Sequence, residues 1–138
     1  MIMKSNVTIL FSSVLAVLML FACERSIDKN ELYGYYTPIG YKNNFDTIQL
    51  QSNGKYHRKV YNTNKQILLD TKGVWSLERN HIIHFHTFYL NLDDDLIKFP
   101  ESISDTSGGW RGDAEYRNGS IQFCVGYYEG ENCYQKVK

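Results

Sequence analysis

Hydrophobic and polar residues alternate along most of this chain, with the period of two that a half-buried β-strand requires. Ile48 and Leu50 fall on one face of residues 45–51, and Ser52-Asn53-Gly54 offers a turn before residues 55–61. Asn62-Thr63-Asn64 offers another turn before residues 65–70, and Thr71-Lys72-Gly73 leads into a strand over 74–78. Arg79-Asn80 then leads into 82–90, and further strands are predicted at 96–99, 110–117, 120–125 and 133–137. No segment keeps a helical period over three turns. Turn signals spaced by roughly 8–12 residues predict an all-β domain. Its expected form is an antiparallel meander closing into a small barrel, with a β-sandwich as the alternative. Residues 100–109, rich in Ser, Gly and Asp, are expected to be the least ordered stretch, a loop at a barrel mouth.

One stretch departs from this pattern. From Val7 to Ala22 the chain is almost wholly apolar, broken by Thr8, Ser12 and Ser13, with Lys4 as a positive residue in front. The run is shorter than the roughly 20 residues of a spanning helix and ends at small Ala22 before a cysteine. Leu20-Phe21-Ala22-Cys23 resembles the lipobox of bacterial lipoproteins, with an aliphatic residue three before the cysteine and a small one just before it. The resemblance implies cleavage before Cys23, diacylglycerol on its sulfur and, in many bacteria, acylation (palmitate, for example) of the new amino group. The expected organisation is therefore a signal peptide at 1–22, a lipidated tether at 23–31 and one β domain at 32–138. The competing reading, an uncleaved anchor followed by an ordinary cysteine, fits the short run less well. Each buried methylene contributes about 0.8 kcal/mol, so two or more acyl chains hold firmly where one holds marginally. Glu24 rather than Asp follows Cys23, which in enteric lipoproteins favours the periplasmic face of the outer membrane over the inner membrane.

Export changes the meaning of composition and cysteine count. Of 15 basic and 15 acidic side chains, only Lys4 lies in the leader, so 14 basic face 15 acidic afterwards, a formal charge of −1. Such a balance gives no long-range attraction to nucleic acid or anionic lipid. Eleven Tyr and seven Phe argue against disorder. With Cys23 lipidated, Cys124 and Cys133 remain, an even pair in an oxidising compartment. A hairpin turning near Tyr128 and Glu129 sets them opposite one another, which predicts a disulfide; two reduced, half-buried thiols are the alternative.

A second resemblance rests on widely spaced residues. Leu32-x-Gly34-x-Tyr36, Ile48-x-Leu50 with Gly54-x-Tyr56, and Gly73-x-Trp75-x-Leu77 look like the elements of small lipocalin-like lipoproteins over residues 31–90. Tyr36 stands where the first Trp of that pattern would be. The resemblance implies a lipocalin-like barrel; a generic meander whose aromatics fill the core is the other reading.

Candidate chemistry is sparse. His84 and His86 lie two apart on one strand, so they share a face, as two metal ligands would; His57 and His81 are conceivable additions. Phe88 and Leu90 continue that face, so a core-facing side with two polar intruders is the favoured expectation. Asp93-Asp94-Asp95 lacks the Gly and closing Glu of an EF-hand and reads as a solvated turn. Asp113 and Glu115 are a generic carboxylate pair. Nucleophile elbows, phosphate loops and nucleotide fingerprints are missing. No cofactor is implied. Three functions remain: a non-enzymatic, lipid-anchored binding module for a small apolar ligand or peptide; an inhibitor or immunity lipoprotein neutralising a toxin or lytic enzyme, with Tyr127-Tyr128-Glu129-Gly130-Glu131 as a recognition edge; and an envelope enzyme using the histidine pair.

Overall fold

Strand alternation carries directly into a closed antiparallel barrel. The computed structural model describes residues 26–40, 45–90, 108–126 and 130–138. The strands are β1 (Gly34–Pro38), β2 (Phe45–Leu50), β3 (Lys55–Tyr61), β4 (Ile67–Glu78), β5 (Ile82–Phe85), β6 (Trp110–Arg117), β7 (Ser120–Cys124) and β8 (Cys133–Lys136). Each pairs with the next, and β8 pairs back onto β1 through Tyr36↔Lys136 and Pro38↔Tyr134. That last pairing leaves no free edge and excludes the sandwich. The one-turn helix α1 (Lys29–Leu32) precedes β1.

The sequence signals act as their chemistry requires. On β3, Tyr56, Arg58 and Val60 point inward while Lys55, His57, Lys59 and Tyr61 lie outside. Asn118 and Gly119 both take positive φ, 54° and 75°, and close β6 onto β7 with Arg117 opposite Ser120. Asn-Gly is the pair that adopts this two-residue turn most readily.

Two strand expectations are corrected. Residues 65–70 and 74–78 are not separate strands; β4 runs unbroken through Thr71-Lys72-Gly73. Gly73 is no turn residue but the position opposite Tyr56, whose ring lies across it. A Cβ on Gly73 would stand 2.5 Å from Tyr56 Cε1. The strand expected over 82–90 ends at Phe85, after which the chain leaves the sheet. The expected strand at 96–99, Asp93-Asp94-Asp95, most of the 100–109 loop, and Tyr127, Tyr128 and Glu129 lie outside the described residues, as do the signal segment and Cys23.

The two ends of the barrel differ. Short connections, 51–54, 79–81 and 118–119, lie at one end; at the other, the long-loop end, lie the ends of β1, β3, β5 and β7, from which the longer stretches between strands set out. Residues 26–32 pack on the short-turn end. Ile27 is 3% exposed, and its amide donates to Asn80 O at 3.1 Å. Asp28 caps α1, with Glu31 returning a bond to the Asp28 amide, a capping box that satisfies two otherwise orphaned amides. Lys136 Nζ donates to Glu31 O at 2.5 Å, Tyr36 OH to Leu32 O at 2.8 Å and Tyr116 OH to Glu31 Oε1 at 2.5 Å. Trp75, 1% exposed, closes the same end, with Tyr33 edge-on at 6.1 Å and Lys29 Nζ 5.4 Å from its ring centre. The part of the expected tether that is described, residues 26–31, is thus folded onto the domain.

Candidate functional site

The lumen is lined and occupied by aromatic rings in one connected series. Tyr36 meets Phe123 at 5.0 Å, Phe123 meets Phe85 at 5.7 Å and Tyr134 at 5.5 Å, and Phe85 meets Phe88 at 4.7 Å and Tyr56 at 5.1 Å. Such tilted and edge-on contacts place ring edges on ring faces and contribute beyond the area they bury.

Within this apolar lining sits an ion pair. Arg58 is 0% exposed and Asp46 3%. Arg58 Nε donates to both carboxylate oxygens of Asp46, at 3.0 and 3.2 Å, and Nη2 donates to Oδ2 at 2.6 Å. Tyr134 OH donates to Asp46 Oδ2 at 2.7 Å and accepts from Arg58 Nη2 at 3.0 Å. Arg58 lies 4.4 Å over the Phe88 ring. A buried charge persists only when paired and hydrogen-bonded, and here three strands supply the partners.

Two inward residues of β3 hold residues 86–90 across the long-loop end. Tyr56 OH donates to Thr87 O, and Arg58 Nη1 donates to Tyr89 O. Phe88, 2% exposed, points into the barrel between these anchors, and its amide donates to Gly108 O at 2.9 Å. Burial pushes the Tyr56 phenol above its ordinary pKa and the Tyr36 phenol further still, so both stay neutral donors.

The disulfide is present: Cys124 and Cys133 are bonded, directly opposite on β7 and β8, with Cα atoms 3.9 Å apart. The histidine expectation is corrected in its face. Ile83 and Phe85 are the inward residues of β5, so His84 lies on the outer surface, and His86, just past the strand, is exposed. Phe88 and Leu90 are buried because the chain leaves the sheet after Phe85 and changes phase. Outside, the His84 and His86 rings are 4.3 Å apart. His84 Nδ1 is 2.9 Å from Glu78 Oε1, and Arg111 Nε is 3.1 Å from Glu78 Oε2. The Arg111 hydrogen bond, more than His84, holds the Glu78 carboxyl below its usual range. His57 and His81 are not brought to this pair; His57 Nε2 lies 2.6 Å from Asp70 Oδ1, and His81 Nε2 3.9 Å from Asp113 Oδ1. Glu115 pairs with Arg117 at 2.7 Å on the surface. Among the described residues, no three His, Cys, Asp or Glu side chains are arranged to hold a metal ion.

Sequence reasoning missed Asp46 and Arg58. Their signal was present: each is in phase with inward apolar neighbours, Asp46 with Ile48 and Leu50, Arg58 with Tyr56 and Val60, and their signs are opposite. Compared with protein-family models, curated proteins and solved structures, the chain shows no match.

Proposed function

We propose that this chain is a lipid-anchored, non-enzymatic binding module of the cell envelope that holds a peptide or protein partner at its long-loop end. The carrying observation is the use of the lumen: Tyr36, Tyr56, Phe85, Phe88, Phe123 and Tyr134 occupy it together with the Arg58–Asp46 pair. Where the described inward side chains pack on one another in this way, recognition falls to outer surfaces and loops. The path of the chain supports the same arrangement. Residues 26–32 join the barrel at the short-turn end, so an acylated Cys23 draws that end toward the bilayer and turns the opposite end away from it. Attachment through lipid on Cys23, at the periplasmic face of the outer membrane, is part of the proposal. An inhibitor or immunity protein acting on a toxin or lytic enzyme is the specific form that this reading favours.

A second reading, a small apolar ligand within the barrel, draws support from residues 86–90. Phe88 enters the lumen from a segment tied down by side-chain bonds to two carbonyls, and its withdrawal would open an aromatic-lined space.

Site-specific photo-crosslinking in the host tests the choice. A crosslinker at position 64, in a long-loop-end connection, is expected to capture a protein, and one at position 118, in a short turn, is not. Capture confined to position 118 overturns the assignment of the binding end. No protein adduct from either, with an organic-extractable compound retained by the purified protein, replaces it with the small-ligand reading. Metabolic labelling with an alkynyl fatty acid, lost in Cys23→Ala, tests the anchor.

A further inference from the structure

We propose that His84 and His86 form a two-histidine chelate for a divalent transition ion, Zn²⁺ or Cu²⁺, on the outer face of the barrel. His84 is an outward residue of β5, and His86, just past the end of that strand, is held beside β4 by its amide bond to Val74 O at 3.0 Å. Both imidazoles are outward, with centroids 4.3 Å apart. Two nitrogens bonded to one ion at about 2.0–2.1 Å stand roughly 3 Å apart, so a modest turn of one ring brings them to a shared ion. His86 is exposed and able to make that turn; its side chain has a single long bond among the described contacts, 3.4 Å from Nε2 to Ser76 Oγ.

His84 is the oriented partner. A carboxylate only accepts hydrogen bonds, so Glu78, which also accepts from Arg111 Nε, accepts from His84 Nδ1–H and leaves the lone pair on Nε2. A carboxylate on the far nitrogen of a histidine is the usual second partner of a metal-bound imidazole, where it sets ring angle and basicity. Space beside Nε2 is preserved by Gly109, where even a Cβ would come within 3.4 Å of that nitrogen. With two protein ligands, water completes the coordination, and imidazole nitrogen suits Zn²⁺ and Cu²⁺ over Mg²⁺ or Ca²⁺. The site lies on the outside of the barrel wall, where β5 runs out at the long-loop end, and does not depend on the partner proposed above.

The test titrates Zn²⁺ into the purified protein, prepared without a histidine tag, in competition with a chromophoric chelator. Cu²⁺ is added to a second sample for electron paramagnetic resonance. The expected result is one ion per chain, with nitrogen hyperfine structure from two imidazoles. His84→Gln and His86→Gln should each weaken binding about tenfold or more, while His57→Gln and His81→Gln leave it unchanged. Melting curves of the variants separate lost ligands from lost fold, since both positions face outward. Binding that survives the double replacement of His84 and His86, or that disappears in His57→Gln, overturns the proposal, as does the absence of a two-nitrogen signal in the unaltered protein.

Discussion

Replacing Arg58 by Met tests whether the buried ion pair organises the long-loop half of the barrel. Met keeps an unbranched stem of similar length beside Phe88 but removes the guanidinium's hydrogen bonds to Asp46 and to Tyr89 O. Asp46 then keeps the Tyr134 hydroxyl while its charge, at 3% exposure, loses the guanidinium. Removing one partner of a buried pair costs about 3–5 kcal/mol, chiefly from the charge left behind. That is a large share of the about 5–15 kcal/mol by which a domain is stable. For a domain of this size, about 4 °C per kcal/mol converts the loss to a fall in Tm of about 12–20 °C. Chemical denaturation at pH 7 measures it, together with Asp46→Leu and the double variant. The double variant should be markedly more stable than the two single losses sum to, because it buries no orphaned charge. An Arg58→Met cost below about 1 kcal/mol, or strict additivity in the cycle, refutes the claim that these two charges depend on one another.

Further outcomes follow from separate contacts. Gly73→Ala drives a Cβ into the Tyr56 ring and should cost about 1–3 kcal/mol, with faster amide exchange at residues 86–90 as Tyr56 withdraws from Thr87 O. Breaking Cys124–Cys133 by the double Ala substitution should lower stability by about 2–3 kcal/mol on the chain-entropy account, read by urea unfolding. The His57 hydrogen bond, aided by Lys59 and Lys72, holds the Asp70 carboxyl below its usual pKa. Its stabilising contribution is therefore present above the unfolded value of about 3.9 and fades as pH falls through the lower folded value. The stability difference between the unaltered protein and Asp70→Asn, followed from pH 7 to pH 3, should shrink below about pH 4; a difference that grows there contradicts the assignment.

Much of this barrel is legible residue by residue because its causes are local. The two-residue period of Tyr56-x-Arg58-x-Val60 is a property of extended backbone, Asn118-Gly119 is chemically suited to its turn, and the spacing of Cys124 and Cys133 around a glycine-flanked loop sets them opposite one another. The capping box of Asp28 and Glu31 was equally local and readable, although its polar setting resembles a tether. Other features depend on what stands across the sheet. Gly73 reads as a turn until Tyr56 is found lying over it, and the same absent side chain then keeps β4 continuous. His84, His86, Phe88 and Leu90 share one phase on paper, but the chain departs from the sheet after Phe85 and sends the histidines out and the apolar residues in. Alternation determines that neighbours face opposite ways. Only closure of β8 onto β1, and the direction in which residues 86–90 are pulled by Tyr56 and Arg58, decides which of those ways is the interior.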